Sequence, residues 1–340
     1  MNLPRSLRLL ACMVVTAVLA TMLATPASAT PTVSSDPSGQ AMPGQIPGWT
    51  QTFADDFTSP STLANYQVYG DFGAAPDGSG SCFSANHVAV TGGELVMRGY
   101  KDPAAVASNG CTGDVNQWVT GGVKLTANSQ TYGKYEVRMR VDNGQGVSLV
   151  ALLWPTTDTW PPEIDFTEDN GAAPRTVDTA TEHWGTPTAF SQINDTLAVD
   201  LTQWHTVGVE WTPGKIVYTM DGVPWATEAN TSVSDVPMQI AVQTQAWQCG
   251  ANSWEQCANS STPSEVDMDV DWIAVYTPAG QLAAPDHPAA VPATTSGDSS
   301  VSLAAFAALV GMGGGLFLIA ERRRLRIRRT QARITAWPDR

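Results

Sequence analysis

From Trp49 to Tyr276 the chain is written almost entirely as short strands and turns, and no ten-residue segment there carries a 3.6-residue hydrophobic period. HVAVTGGELVMRGY (87–100) reads as two strands around Gly92-Gly93. GGVKLTANSQTYGKYEVRMRVDNGQG (121–146) reads as a hairpin-like succession ending in a glycine-rich turn. WHTVGVEWTPGKIVYTMDGVPWAT (204–227) reads as three strands, with turns at Pro213-Gly214 and Asp221-Gly222. Such spacing over about 230 residues predicts one all-β domain at 49–278, large enough to bury a core between two packed sheets.

The flanks read differently. Arg5 and Arg8 precede an apolar run from Leu9 to Ala24, and Ala27-Ser28-Ala29 fits a cleavage site, so 1–29 is expected to be a signal peptide. Residues 30–48 are rich in Pro, Ser and Gly and read as a tether; 279–300, rich in Pro and Ala, reads as a stalk. Val301 to Ala320 carries no charge and as a helix would be about 30 Å long, enough to cross a bilayer. The basic run ERRRLRIRR follows, so a cytoplasmic tail at 321–340 and an exported, cell-surface domain are expected. The alternative is attachment to the cell wall: Val291-Pro292-Ala293-Thr294-Thr295 faintly resembles the LPXTG sorting signal.

Between leader and tail lie 8 basic and 30 acidic residues, a balance of −22. That field excludes nucleic acid and polyanionic glycans as partners and is compatible with neutral ones. Outside the leader, Cys82, Cys111, Cys249 and Cys257 allow three pairings. Proximity favours Cys249–Cys257 and therefore Cys82–Cys111, and export makes disulfides the expectation. Cys/His spacing suited to zinc is absent.

The chemistry concentrates in EIDFTE (163–168). Ile164, Phe166 and Thr167 favour a strand, in which Glu163 and Asp165 share one face while Glu168 falls on the other. One extra residue, a β-bulge near Phe166–Thr167, would return Glu168 to the face of the other two. A second acidic run, SEVDMDVDW (264–272), alternates acid with apolar residues and reads as a solvated outer strand face. Glycoside hydrolysis with retention needs two carboxyl groups about 5–5.5 Å apart, one attacking the anomeric carbon and one serving as acid and base. Two long glutamates leaning together over a curved sheet suit that demand. Asp165 between them makes it costlier to ionise all three, which helps keep the acid protonated. The chain has 12 Trp, and Trp154, Trp160, Trp184, Trp247 and Trp254 flank the acidic run in any compact fold. A flat indole beside carboxylates, above all Trp160, suits the C–H face of a sugar ring.

EIDFTE resembles the active-site strand of glycoside hydrolase family 16, whose laminarinase-like branch carries E-x-D-x-x-E. The resemblance spans 49–276 and includes FADDF (53–57), SANHVAVTGGELVM (84–97), YGKYEVRMR (132–140), WHTVGVEW (204–211), the MDG turn (220–222) and VDWIAVY (270–276). It implies a β-jelly-roll sandwich of two antiparallel sheets with a long concave groove. It also implies Glu163 as nucleophile, Asp165 as its helper and Glu168 as acid/base. Trp154, Trp160, His183, Trp184, Gln243, Gln245 and Trp247 are the expected substrate-binding residues. The resemblance supports the Cys82–Cys111 pair, calls for no catalytic cofactor, and matches Gly93 and Asp271 to ligands of a structural calcium. The expected substrate is a neutral β-1,3- or mixed β-1,3/1,4-glucan; the alternatives are transglycosylation of a surface glycan and a non-catalytic glycan-binding sandwich. His183-Trp184-Gly185 and the Cys249–Cys257 loop with Trp254 depart from the family patterns.

Overall fold

The structure, a computed structural model, describes residues 36–70, 82–108, 117–247, 249–250 and 254–280. The expected leader, transmembrane stretch, tail and most of the stalk lie outside them, as does Cys111. Among the described residues no helix is long and apolar enough to cross a membrane.

In chain order the first strands are β1 (Trp49–Asp55), β2 (Tyr66–Val68), β3 (Val88–Thr91), β4 (Glu94–Lys101), β5 (Trp118–Val119) and β6 (Gly122–Leu125). Then come β7 (Gly133–Val141), β8 (Val147–Pro155), β9 (Glu163–Glu168), β10 (Val177–Thr186) and β11 (Ala189–Ala198). The last are β12 (His205–Thr212), β13 (Lys215–Met220), β14 (Val223–Ala229), β15 (Met238–Ala246) and β16 (Glu265–Pro278). The sole α-helix among the described residues is a short one, Pro103–Ser108, which agrees with the missing 3.6-residue period.

Two antiparallel sheets result. One has the order β14-β13-β12-β7-β16-β4-β3, with β1 added on β16 and β5 on β4; the other runs β11-β10-β9-β8-β15-β6-β2. The expected succession at 121–146 is therefore not a hairpin: β6 and β7 stand in different sheets. The residues between them carry the chain across the sandwich, a connection that strand and turn composition leaves open. The meander at 205–229 is as expected, and Asp221 and Gly222 both take positive φ (51° and 75°), which a two-residue hairpin turn needs.

The main core lies between the sheets. Val137, Val209, Val270 and Ile273 of the larger sheet meet Leu149, Leu153, Ile164 and Phe166 of the smaller. β8 is buried along its whole length because its alternate side chains, Val150, Leu152 and Trp154, form a second apolar cluster on the sheet's other face with Tyr69, Trp160 and Ala241. That other face carries the candidate site.

The 36–48 segment, read as a tether, packs on the outside of the larger sheet. Met42, Ile46 and Trp49 cover Trp272 and Tyr276. Trp272 Nε1 donates to Gln40 O (3.1 Å), and Tyr276 Oη donates to Pro43 O (3.2 Å). Its proline-rich composition suits an extended strap that leaves backbone carbonyls free to accept these bonds.

One fully buried ion pair ties the end of β9 to the loop before β8. Arg175 Nη1 donates to Asp169 Oδ2, while its other nitrogens donate to Asp142 O (2.6 Å), Gly144 O (2.8 Å) and Val147 O. Removing the cation would strand a buried carboxylate, a change that typically costs about 3–5 kcal/mol. Arg175→Met should lower unfolding free energy by about that much in urea denaturation. A loss under about 1 kcal/mol would show that the pair holds nothing in place.

Candidate active site

The register of β9 decides the site. Against β8 it pairs Ile164 with Leu153 and Asp165 with Leu152, then Thr167 with Ala151 and Glu168 with Val150. Two β9 residues, Phe166 and Thr167, thus answer one step on β8, and pairing with β10 shifts at the same place. This is the expected bulge. Ile164 and Phe166 both reach the core, at 1% and 0% exposure. Glu163, Asp165 and Glu168 share the opposite face, the first two almost wholly buried.

Asp178, on β10, buttresses the irregularity. Its Oδ1 accepts from Thr167 Oγ1 (2.7 Å) and from the Glu168 backbone N–H (3.2 Å). Burial pushes the Asp178 carboxyl up to about 7. Sequence reading missed this residue. An aspartate at a core-parity position of a strand, opposite the segment that needs a bulge, was the available signal.

Around the two inner carboxylates the donors are specific. Trp160 Nε1 donates to Glu163 Oε2 at 2.7 Å. His183 Nε2 lies 3.1 Å from Asp165 Oδ2 and 4.0 Å from Glu163 Oε2. Burial holds the His183 ring below its ordinary pKa and therefore neutral; with Asp165 ionised, Nε2–H is the donor. Glu163 is pushed up to about 8, first by burial and then by the Asp165 charge, and burial raises Asp165 as well. Glu168 is raised by burial, then by Asp165, Glu255, Glu163 and Asp169. Three carboxyls crowded into one buried groove disfavour full ionisation, and the adjacent Glu163 and Asp165 titrate as a coupled pair.

The other expected residues sort by strand parity. Gln243 and Gln245 sit on β15 across from Val150 and Ser148, on the face of Glu168. Both are buried, and among the described residues neither end of the Gln243 amide nor Gln245 Oε1 has a hydrogen-bond partner. Their unpartnered atoms are buried beneath the groove face and keep unused donor and acceptor capacity there. Trp247 follows the strand and donates to Ser148 Oγ at 3.3 Å. Trp154 and Trp160 lie on the groove face but are 0% and 1% exposed. Trp160 packs edge-on against Phe190 at 4.7 Å, so neither indole offers a free face for stacking; Trp160 positions Glu163 instead. Trp184 falls one residue beyond His183 on β10 and so points to the opposite face, away from the carboxylates.

Cys249 and Cys257 form a disulfide. Cys82 is disulfide-bonded, and its expected partner Cys111 lies outside the described residues. Glu265, Asp267, Asp269 and Asp271 are on β16 in the other sheet, far from this face by topology. Glu265 is exposed as expected, but Asp269 and Asp271 are less solvated than expected: Asp269 pairs with Arg140 (2.9 Å), and Asp271 is 1% exposed and accepts from Ser38 N (3.1 Å) and Ser38 Oγ. Gly93 approaches the same strap, since a Cβ there would meet Pro37 at 3.4 Å. The oxygen donors at Asp271 and Ser38 are of the type a hard cation takes.

A two-sheet antiparallel sandwich with paired glutamates flanking an aspartate on its open face defines a protein of the glycan-cleaving class. Residues 82–274 match Glycosyl hydrolases family 16, and the chain belongs to that family. Two proteins of Rhizobium meliloti are similar. Endo-1,3-1,4-beta-glycanase ExsH is 30% identical over 57% of this chain, and endo-1,3-1,4-beta-glycanase EglC is 32% identical over 47%. The matches span 40% and 34% of those relatives' own lengths. Among solved structures, the catalytic domain of an endo-1,3-beta-glucanase (laminarinase) from Thermotoga petrophila superposes with a TM-score of 0.56 at 18% identity, covering 68% of this chain and 98% of that one. A Bacteroides ovatus mixed-linkage glucan protein superposes at 0.53 and 17% identity, covering 66% of this chain and 99% of that one.

The raised carboxyls make a stability prediction with a definite sign. A carboxyl whose folded pKa exceeds its unfolded one keeps its proton longer when folded. It therefore stabilises below the unfolded value near 4.5, and that stability is lost as pH rises through about 8. The neutral isostere Glu163→Gln should flatten the fall in Tm between pH 5 and pH 8, by about 2–4 °C per kcal/mol of penalty removed. Parallel Tm curves for the variant and the parent would contradict the buried-carboxyl account.

Proposed function

We propose that the chain is a retaining, endo-acting glycoside hydrolase of neutral β-1,3- or mixed β-1,3/1,4-glucan. The observation that carries this reading is the bulge at Phe166–Thr167, which puts Glu168 on the face of Glu163 and Asp165. The names of the similar proteins support the substrate class.

Glu163 attacks the anomeric carbon from the microstate in which the pair's proton lies on Asp165, with Trp160 N–H oriented on the attacking carboxylate. Glu168, held protonated by burial and the neighbouring negative charges, gives its proton to the leaving oxygen. The resulting glycosyl ester on Glu163 is then hydrolysed by a water that Glu168, now ionised, deprotonates. Two inversions give net retention. The unpartnered Gln243 amide and Gln245 Oε1 bind sugar hydroxyls, and the acidic domain disfavours sulfated chains.

Cell-surface placement is part of the same proposal and rests on the leader, the apolar run at 301–320 and the basic tail. A structural calcium at Asp271 and Gly93 would pin the strap to the outer face.

Glu168→Gln should lower kcat by about 10²–10⁴-fold on polysaccharide. A substrate with a good leaving group, or azide at the second step, should restore much of the rate. Glu163→Gln should be inactive, and the wild-type products should keep the β-anomer by NMR. Inverted products, or an active Glu163→Gln, would sink the mechanism. Chelator should lower Tm if calcium is held; an unchanged Tm removes it.

A further inference from the structure

The groove does not end at Glu168. In the row that crosses the smaller sheet, Glu168 on β9 faces Thr179 on β10, which faces Thr196 on the edge strand β11. Directly paired residues share a face, so both threonines flank Glu168 on the open side. They line a cavity of about 200 Å³ whose other walls include Asp169, Asn170 and the half-buried indole of Trp254.

Trp254 belongs to the loop closed by Cys249–Cys257, and residues 254–257 of it make several docking contacts. Asn170 Nδ2 donates to Trp254 O (2.9 Å), the Gln256 N–H donates to Asn170 O (2.8 Å), and Gln145 Nε2 donates to Cys257 O (3.2 Å). The backbone comes so close to Gly146 that a Cβ there would lie 2.0 Å from Ala258 N. Gly146, at φ +93°, is thus required twice over, by space and by conformation. The pocket floor is rigid as well, since the Asp169–Arg175 pair beneath it is fully buried. An aromatic face opposite two hydroxyls and an amide is the combination that holds one pyranose ring: C–H face on the indole, hydroxyls on the polar wall. Of the tryptophans around the site, Trp154, Trp160 and Trp247 are buried, whereas Trp254 keeps accessible surface.

We propose that this pocket is a sugar-binding subsite on the leaving-group side of the scissile bond, with Trp254 as its platform and the bonds of Trp254 O and Gln256 N–H to Asn170 as the contacts that hold it there. The inference rests on the glycan-hydrolase reading above, because Glu168 must touch the leaving oxygen and the pocket begins at Thr179, its neighbour across the sheet. The same loop brings the Glu255 charge to bear on Glu168 and helps keep the acid protonated.

The test uses the full chain and a reducing-end-labelled mixed-linkage β-1,3/1,4-glucan hexasaccharide. Trp254→Ala should raise KM about tenfold and shift the position of cleavage along the oligosaccharide, while Trp254→Phe should keep the wild-type cleavage position. Replacing Cys249 and Cys257 together by Ser should shift cleavage in the same direction as Trp254→Ala. An unshifted cleavage position in a folded, active Trp254→Ala would overturn the subsite and leave the hydrolase reading standing. Failure of the wild-type chain to cut this hexasaccharide or any other β-glucan would overturn both.

Discussion

Everything at the open face follows from parity on one strand. A regular strand would put Glu168 into the apolar core with Ile164, where an ionisable group without a partner costs several kcal/mol. The inserted residue lets Ile164 and Phe166 both reach the core while all three acids face the groove. Bulges free backbone groups, and here Asp178 accepts the Glu168 N–H, so the irregularity is satisfied inside the sheet. The acids are then crowded and dry. Trp160 directs an N–H at Glu163, His183 Nε2 lies 3.1 Å from Asp165, and retained protons cover part of the remaining cost.

The rest of the sandwich serves to keep that strand central. β9 lies third in its sheet, between β10 and β8, and β8 is packed on both faces. The larger sheet backs the site with an apolar layer and turns its acids outward, where Arg140 and the 36–48 strap engage them. The two acidic runs therefore differ in sheet as well as in spacing. At the far end Asp169, Arg175 and Trp254 line one cavity next to Thr179.

Much of this was legible beforehand for definite reasons. Two-residue periodicity and glycine turns report local backbone geometry, so β3, β4 and the β12–β14 meander could be read from residues alone. The bulge was legible too, because only one insertion reconciles apolar Ile164 and Phe166 with three acids meant for one face. The connection between β6 and β7 was not, since a turn sequence does not say which sheet the next strand joins. Trp160 was recognised as a site residue but its part was misjudged. Its composition suggests stacking, whereas its burial against Phe190 leaves only its N–H to act.

The sequence by itself determined the strand text, the carboxylate spacing with its need for a bulge, and the family. These are properties of a few neighbouring residues, carried by side-chain period and chemistry. Only the tertiary structure decided that Asp178 buttresses the bulge, that Trp184 faces away, that the 36–48 segment is a strap, and that Trp254 shares a cavity with Thr179, the cross-strand neighbour of Glu168. Each of these depends on which distant segments share a sheet face, and pairing between strands far apart in the chain is set by packing of the whole core, not by any local signal.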